Sequence, residues 1–414
     1  MKFLAFPLAT CLLALTSSSQ TVLVVDDEPG PGVDFNVVQD AIAAAASGTI
    51  VLVRAGNYGT ELLSVVGGSL TLVFEPAASF GSPTTLTIRN VGPGDEVVVH
   101  GLVLDASGLN SNEILQLEDN QGVVWLEASS FIGADASFFT SPDTVLITNC
   151  DQVVVRDCTI VGGTPPVVFE SGRGIRATSS SLFLHDSVVE GGEGTVGGIE
   201  DGGPGGAGIA LDGAFLFASG ATIRGGTGGS TGSIFGCGNA SGDGGDGLVL
   251  AASSPTAFLR NTTLEGGVPG EVMAGCSSLP GAPGAPSSVV SGTLQESSTP
   301  PHSVSVTSPV RTDELADIAV SGVPGELALM LHSPNAAPVH LPALFDALVL
   351  ANPIQQIFIG QLDGTGSAAL QVQPVLPPGV LGRRLFTQVL FFDAMSATAT
   401  FGSPNTVVVL DAAL

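Results

Sequence analysis

Lysine is all but missing from this sequence. Lys2 is the only one, and the 414 residues carry 11 basic side chains against 38 acidic ones, a net charge of −27. A chain so poor in positive charge lacks the basic patches that nucleic acid requires, and it repels anionic membrane surfaces. Charge of either sign is scarce at 12% of residues, about half the usual share. Aromatics reach only 5%, and the five cysteines include no paired C-x-x-C spacing of the kind that holds zinc. Long apolar runs are missing as well. The longest, residues 3–15, falls short of the ~20 residues needed to cross a bilayer.

What the sequence does hold is glycine, 56 residues of it, and 44% hydrophobic residues. That apolar content argues for a buried core rather than disorder, and the Val, Leu, Ile and Gly bias suits a mostly-β chain with many turns. Lys2, the apolar stretch and the small polar residues 16–20 read as a secretory signal over residues 1–20, so the mature chain is expected to be exported. An acidic surface keeps an exported protein in solution; attraction to divalent cations is the alternative reading of the same charge. With Cys11 in the signal, four cysteines remain, an even number compatible with disulfides. The remaining length exceeds one compact domain, so two are expected.

An internal repeat organises the first of them. VVVRDCTIVGG (153–163), LFLHDSVVEGG (182–192), LFASGATIRGG (216–226) and AFLRNTTLEGG (257–267) align without gaps, and weaker copies lie at 97–106 and 123–133. The equivalent apolar residues Leu104, Phe131, Ile160, Val189, Ile223 and Leu264 are 27, 29, 29, 34 and 41 residues apart. Each unit reads as two short strands meeting at a bend. The bend is Gly101, Asp157, Asp186, Gly220 or Asn261, residue types that tolerate a left-handed backbone cheaply. A strand, a fixed left-handed bend and a second strand, repeated every turn, is how a β-helix rounds a corner while burying a continuous column of side chains. The extra residues of the longer units, 193–207, 227–246 and 268–286, all follow the double glycine. Their Gly, Ser, Asp and Pro content reads as loops of turn material without a core. Residues 34–46 place Phe35, Val38, Ile42 and Ala45 at helical spacing, a short helix suited to cover the open end of the solenoid.

FNVVQDAI (35–42), GTIVLV (48–53) and Gly56-Asn-Tyr, followed by V-x-V-x-D-x-x-I units, resemble the opening and the repeats of pectin-lyase-like right-handed parallel β-helix proteins over residues 22–286. The resemblance implies the fold, which places a β-helix at 21–286. From about residue 287 the pattern changes to short apolar runs (318–320, 326–331, 347–350, 356–359, 368–372, 385–392 and 406–410), as expected of an antiparallel β-sandwich at 287–414. That half resembles C-terminal modules of exported bacterial proteins. The fold class expected is therefore all-β: an N-terminal capping helix, a right-handed parallel β-helix and an antiparallel β-sandwich.

Superfamily members that cleave polysaccharides carry paired carboxylates, or an Arg or Lys base beside a cation. The only Asp pair here, Asp26-Asp27, precedes the first rung. Arg156, His185 and Arg260 share one outward position and are the candidates for a catalytic role, against a plainer reading as solvated edge residues. On the glycine-rich loops, Asp243, Asp246, Glu200 and Asp201 are candidate Ca2+ ligands, against acidic turns in water. Cys237 and Cys276 lie 12 and 10 residues past Gly225 and Gly266, in adjacent loops, and are expected to form a disulfide; Cys150 and Cys158 sit on strands and are expected to stay buried. Val98, Trp125, Val154, Phe183, Phe217 and Phe258 form an outward apolar column too large to leave bare. Either the C-terminal half or the loops cover it, or Trp125, Phe183, Phe217 and Phe258 make a surface stripe that stacks on sugar rings. Two functions stay open. One is a non-catalytic exported protein that displays a surface and binds polysaccharide or a cell-envelope component. The other is a polysaccharide lyase or glycoside hydrolase.

Overall fold

The computed structural model describes residues 20–107, 113–135, 142–165, 171–197, 201–231, 240–274, 278–299 and 302–414. Residues 1–19 of the expected signal, Glu200, Cys237 and Cys276 lie outside the described residues. Within them, the fold is the right-handed parallel β-helix and the β-sandwich read from the sequence.

Each full turn contributes three strands, one more than the repeat suggests. Val145–Thr148, Gln152–Arg156 and Thr159–Val161 form one turn; Ile175–Thr178, Ser181–His185 and Val188–Glu190 form the next. Stacked in register they build three parallel sheets of ten, six and eight strands. Inward side chains of all three, such as Val155, Leu184, Ile147 and Ile160, are fully buried in one continuous core. The bends are left-handed as expected: Gly101, Asp157, Asp186, Gly220 and Asn261 have φ of 79°, 51°, 46°, 66° and 47°, and Ala128 joins them at 50°. A second left-handed column, Asn90, Asp119, Asn149, Ser179, Gly213 and Ser253, turns the opposite corner. The helix Val38–Ala44 covers the first rungs with Val38, Ala41 and Ile42. Its first amides, Val38 and Gln39, donate to the Glu61 carboxylate, which satisfies the helix start from the rung beneath.

The boundary between the halves lies further along than the sequence pattern places it. Ser287–Val289 pairs with Leu248–Leu250, and Thr293–Ser297 pairs with Thr256–Arg260, so both complete the last turn of the β-helix. Residues 287–297 escape detection because this rung caps the core from outside, with Leu294 its one apolar residue packed against it. Beyond it, Ser303–Val306, Ala316–Ser321 and Ser367–Val372 form a small antiparallel sheet. It faces the larger sheet of Val310–Arg311, Asn405–Leu410, Gly382–Asp393, Leu327–Ser333 and Gln355–Gln361. Ile318, Val320, Met330, Val389 and Phe391 fill the space between them.

The segments after the double glycines depart most from expectation. They are not turn material. They run out from the second sheet and return to the third as paired extended arms, outgoing at 190–197, 224–231 and 265–272 and returning at 201–208, 240–247 and 279–286. In the outgoing layer, the amides of Gly191, Gly194 and Gly197 donate to the carbonyls of Arg224, Thr227 and Ser230; those of Gly225, Gly228 and Thr231 donate to Glu265, Val268 and Glu271. In the returning layer, Gly202, Gly205 and Gly208 donate to Ala240, Asp243 and Asp246, and then Ser241, Gly244 and Gly247 donate to Leu279, Ala282 and Ala285. The next residue of each triplet bonds across the layers: Gly206 to Gly192, Gly226 to Gly206, Gly245 to Gly226, Gly267 to Gly245 and Gly284 to Gly267. A bonding period of three is the repeat of a polyproline II helix, so the arms form a two-layer slab of such helices. A Cβ at Gly225 or at Gly284 would fall on the carbonyl oxygen of Gly245, and only glycine permits this approach of backbone to backbone.

Candidate functional site

The residues that chemistry singles out do assemble, on the outer face of the first sheet. His100, Glu127, Arg156, His185, Ser219 and Arg260 follow one another in register, one per rung, at the last strand position before the bend. Strand alternation turns them away from the core. The sandwich then closes over them.

Arg156 donates to Glu127 Oε1 at 3.0 Å and to the Val304 carbonyl at 3.1 Å. Arg260 forms an ion pair with Asp346, with both side chains nearly fully buried. It donates through Nε to Ser219 Oγ at 3.1 Å and through Nη2 to the Phe401 carbonyl at 2.7 Å. His185 lies between them at 2% exposure, beside the Phe217 ring. Burial, with Arg260 and Arg156 adding to it, pulls its pKa down to about 3. A general base must reach the proton that it removes. His185 and Arg260 are closed to solvent and Arg156 is engaged on both sides, so the column is not the solvated edge that the sequence also offered. It fastens the two halves together.

The apolar column beside it is covered too. Val98, Trp125, Val154, Phe183 and Phe217 are buried, and Phe258 partly so, against Ala336, Ala347, Val349, Leu350 and Phe386 of the sandwich. The Trp125 ring lies 5.0 Å from that of Phe386, and its Nε1 donates to Glu127 at 3.0 Å. Phe258 stacks on His340 at 4.1 Å. Sugar rings have no access to Trp125, Phe183 or Phe217, so the column is not a surface stripe. The acids that complete this interface were not singled out from the sequence. Glu127 stands in the same outward column as Arg156, and that alignment was a signal. Glu96 pairs with Arg384 and accepts the Ala336 amide, while Asp346 also accepts the Phe401 amide at 2.6 Å; neither carries a local signature.

The loop acids are equally engaged. Asp201, Asp243 and Asp246 accept the amides of Ala240, Ala282 and Ala285 at 2.9, 2.6 and 2.7 Å, each reaching one rung further to an outward N–H that neither layer satisfies. They act as stitches of the slab, and Glu200, the fourth candidate, lies outside the described residues. Among the described residues no group of three or more His, Cys, Asp or Glu side chains gathers to hold a metal ion. Cys150 and Cys158 are buried free thiols, and burial pushes Cys158 up to about 12, far from a reactive thiolate.

Among the described residues, hollows also lie open to solvent. One, of about 480 Å³, lies between the capping helix and the first rungs and is lined by Gln39, Ile42, Ser64 and Gly67. Another, of about 390 Å³, lies on the small sheet of the sandwich and is lined by Ser303, Ser305, Ser321, Asp363 and Ser367. Ser303 and Ser321 share a hydrogen bond across its floor at 2.7 Å. Asp363 is fully exposed, and its carboxyl is held below the usual range by the Thr365 hydroxyl and the Ser367 and Thr365 amides. Among the described residues no helix is long and apolar enough to cross a membrane.

No family model and no curated protein matches the chain. Among solved structures it is similar to pectate lyase Pel9A, with 11% identity over 67% of this chain and 79% of that one and a TM-score of 0.29. It is also similar to a pectin methylesterase from Aspergillus niger, with 16% identity over 68% and 92% and a TM-score of 0.30. A third is tailspike protein 2 of an Escherichia coli bacteriophage, with 9% identity over 94% and 68% and a TM-score of 0.25. At these scores the likeness assigns no activity.

Proposed function

We propose that this chain is an exported, non-catalytic β-helix protein that binds glycans at or outside the cell envelope. The observation that carries this reading is the sealed first sheet, where the Arg, His and Glu side chains gather. They are tied by buried ion pairs and backbone carbonyls into the contact between the halves. Their chemistry is that of fasteners, and His185 and Arg260 are nearly closed to solvent beneath the sandwich. The solvent-open hollow of Ser303, Ser305, Ser321, Asp363 and Ser367 offers hydroxyl and carboxylate partners of the kind that sugar hydroxyls need.

A glycan array read together with reducing-end and unsaturated-product assays tests the proposal. Binding without product, weakened when Ser305→Trp fills the hollow, is the expected result. Release of reducing ends or unsaturated products at steady turnover would replace it with the lyase or hydrolase reading.

A further inference from the structure

Within each layer of the glycine slab the backbone hydrogen bonds run one way, while the cross-layer bonds from Gly226, Gly229, Gly267 and Gly270 reach back to the rung before. In-layer amides point toward the next rung. The second and third rungs therefore accept from the one before through three carbonyls per arm, and the first and second donate to the one after through three amides per arm, each the residue that follows an acceptor position. Glu190 accepts and Gly191 donates; Arg224 accepts and Gly225 donates; Asp243 accepts and Gly244 donates. The last rung has acceptors at Glu265, Val268 and Glu271 in its outgoing arm and at Leu279, Ala282 and Ala285 in its returning arm. The residues that follow, where the next donors would stand, are Gly266, Pro269, Val272, Pro280, Pro283 and Pro286. Four of these six positions are proline, which has no N–H. In the returning arm all three are proline, where the two preceding rungs place Gly202, Gly205, Gly208 and Ser241, Gly244, Gly247.

Proline suits a polyproline II arm at any position, so its conformation does not explain this placement. What distinguishes the four sites is that each would otherwise aim an unpaired amide out of the end of the slab. Pro280, Pro283 and Pro286 are exposed there and Pro269 partly so. Cross-layer donors of the same rung, Gly267, Gly270 and Gly284, remain non-proline and bonded. An edge of aligned amides is a template for another chain's carbonyls, and removing the donors blunts it.

We infer that Pro269, Pro280, Pro283 and Pro286 terminate the slab and deny its last edge to a second copy of this chain. Because amides point toward this end, carbonyls point toward the other. The contact denied is therefore head-to-tail, the kind that propagates into open filaments. The full-length quadruple variant P269G/P280G/P283G/P286G restores four amides without adding a side chain. Sedimentation velocity over a concentration series should show it associating at least about tenfold more tightly than the parent, since several backbone hydrogen bonds of modest net strength add up. The control A282G/A285G raises glycine content to a similar end without adding a donor and should sediment as the parent does. A quadruple variant that keeps the parent's amide-exchange protection in the slab and the parent's association constant overturns the inference. So does association of the control to the same degree. If the quadruple variant unfolds, the single variant P283G carries the test, with a smaller shift in the same direction and the same two overturning results.

Discussion

Along the first sheet, the sandwich is held to the β-helix by large and charged side chains, Trp125 on Phe386, Arg260 with Asp346 and Arg384 with Glu96. Between the second and third sheets, the glycine arms are held to one another mainly by backbone hydrogen bonds, with Asp201, Asp243 and Asp246 adding side-chain stitches. The first contact is specified residue by residue, and each apolar anchor contributes about 1.5–3 kcal/mol by burial. The second has no such labels. A slip by one period of three residues would re-form two of the three bonds in each pair of arms, so its register is inherited from the rungs that carry the arms. A side-chain interface tolerates conservative change but suffers when one charge of a pair is lost; the slab asks little of its outward residues beyond the aspartate stitches but admits no Cβ inside.

Substitutions at the two contacts separate these behaviours. The largest effect is expected from Asp346→Ala, which strands the buried Arg260 guanidinium and should cost about 3–5 kcal/mol in denaturant unfolding. A loss below about 1 kcal/mol would mean that the face is far wetter than its burial suggests.

Acid comes next. His185 has its pKa lowered from 6.5 to about 3, so the folded state binds its proton less readily than the unfolded chain. Its neutral form supports the fold fully above pH 6.5, and that support fades as pH falls toward 3. Burial raises the pKa of Glu96, Asp186 and Asp346, which pushes the other way. The contribution of His185 is therefore read as the difference between the parent and His185→Phe, and equal acid slopes in the two would refute it.

In the slab, Gly225→Ala should cost about 1–3 kcal/mol, by overpacking against Gly245. Hydrogen exchange should show the loss in the arms first, with barrel amides still protected. Simultaneous exposure of both would show that slab and barrel unfold as one unit.

At the bend, Asp186→Val should cost about 1–2 kcal/mol for a β-branched residue at φ 46°. Asp186→Gly keeps the bend and loses only the bond from Ser403, so a smaller loss of about 0.5–1.5 kcal/mol is expected in thermal unfolding. The same small range applies to Asp243→Ala, which frees the Ala282 amide at an exposed site.

The bend column was legible because Gly, Asp and Asn at a fixed place in a repeat have one economical explanation. The opposite corner, Asn90, Asp119, Asn149, Ser179, Gly213 and Ser253, carries a similar signature, but it lies outside the aligned block and went unread. Ala128 was missed for the converse reason, since alanine does not advertise a positive φ. The period of three in Gly191, Gly194 and Gly225, Gly228 is also present in the sequence. Glycine alone signals a turn, however, and the slab exists only once a second arm is there to bond. The column of Arg156, His185 and Arg260 could be aligned, but its environment could not be read, because the cover is supplied by Val304, Asp346 and Phe401 from far along the chain. Cys237 and Cys276 lie outside the described residues, so their pairing stands as an expectation.

Contacts between the halves begin at Gln20, which accepts the Arg384 amide, and continue through Arg54 with the Leu414 carbonyl, Glu75 with Arg311, His100 with Ser308 and Glu127 with Thr406 to Arg260 with Asp346. A solenoid on its own gains or loses a turn easily, since each rung touches only its neighbours. Here the sandwich works as a ruler laid along the stack. Deleting or duplicating one turn between Glu75 and Arg260 would shift every later contact by one strand spacing against a rigid partner. The chain has thereby exchanged the variable length of a repeat protein for a fixed count.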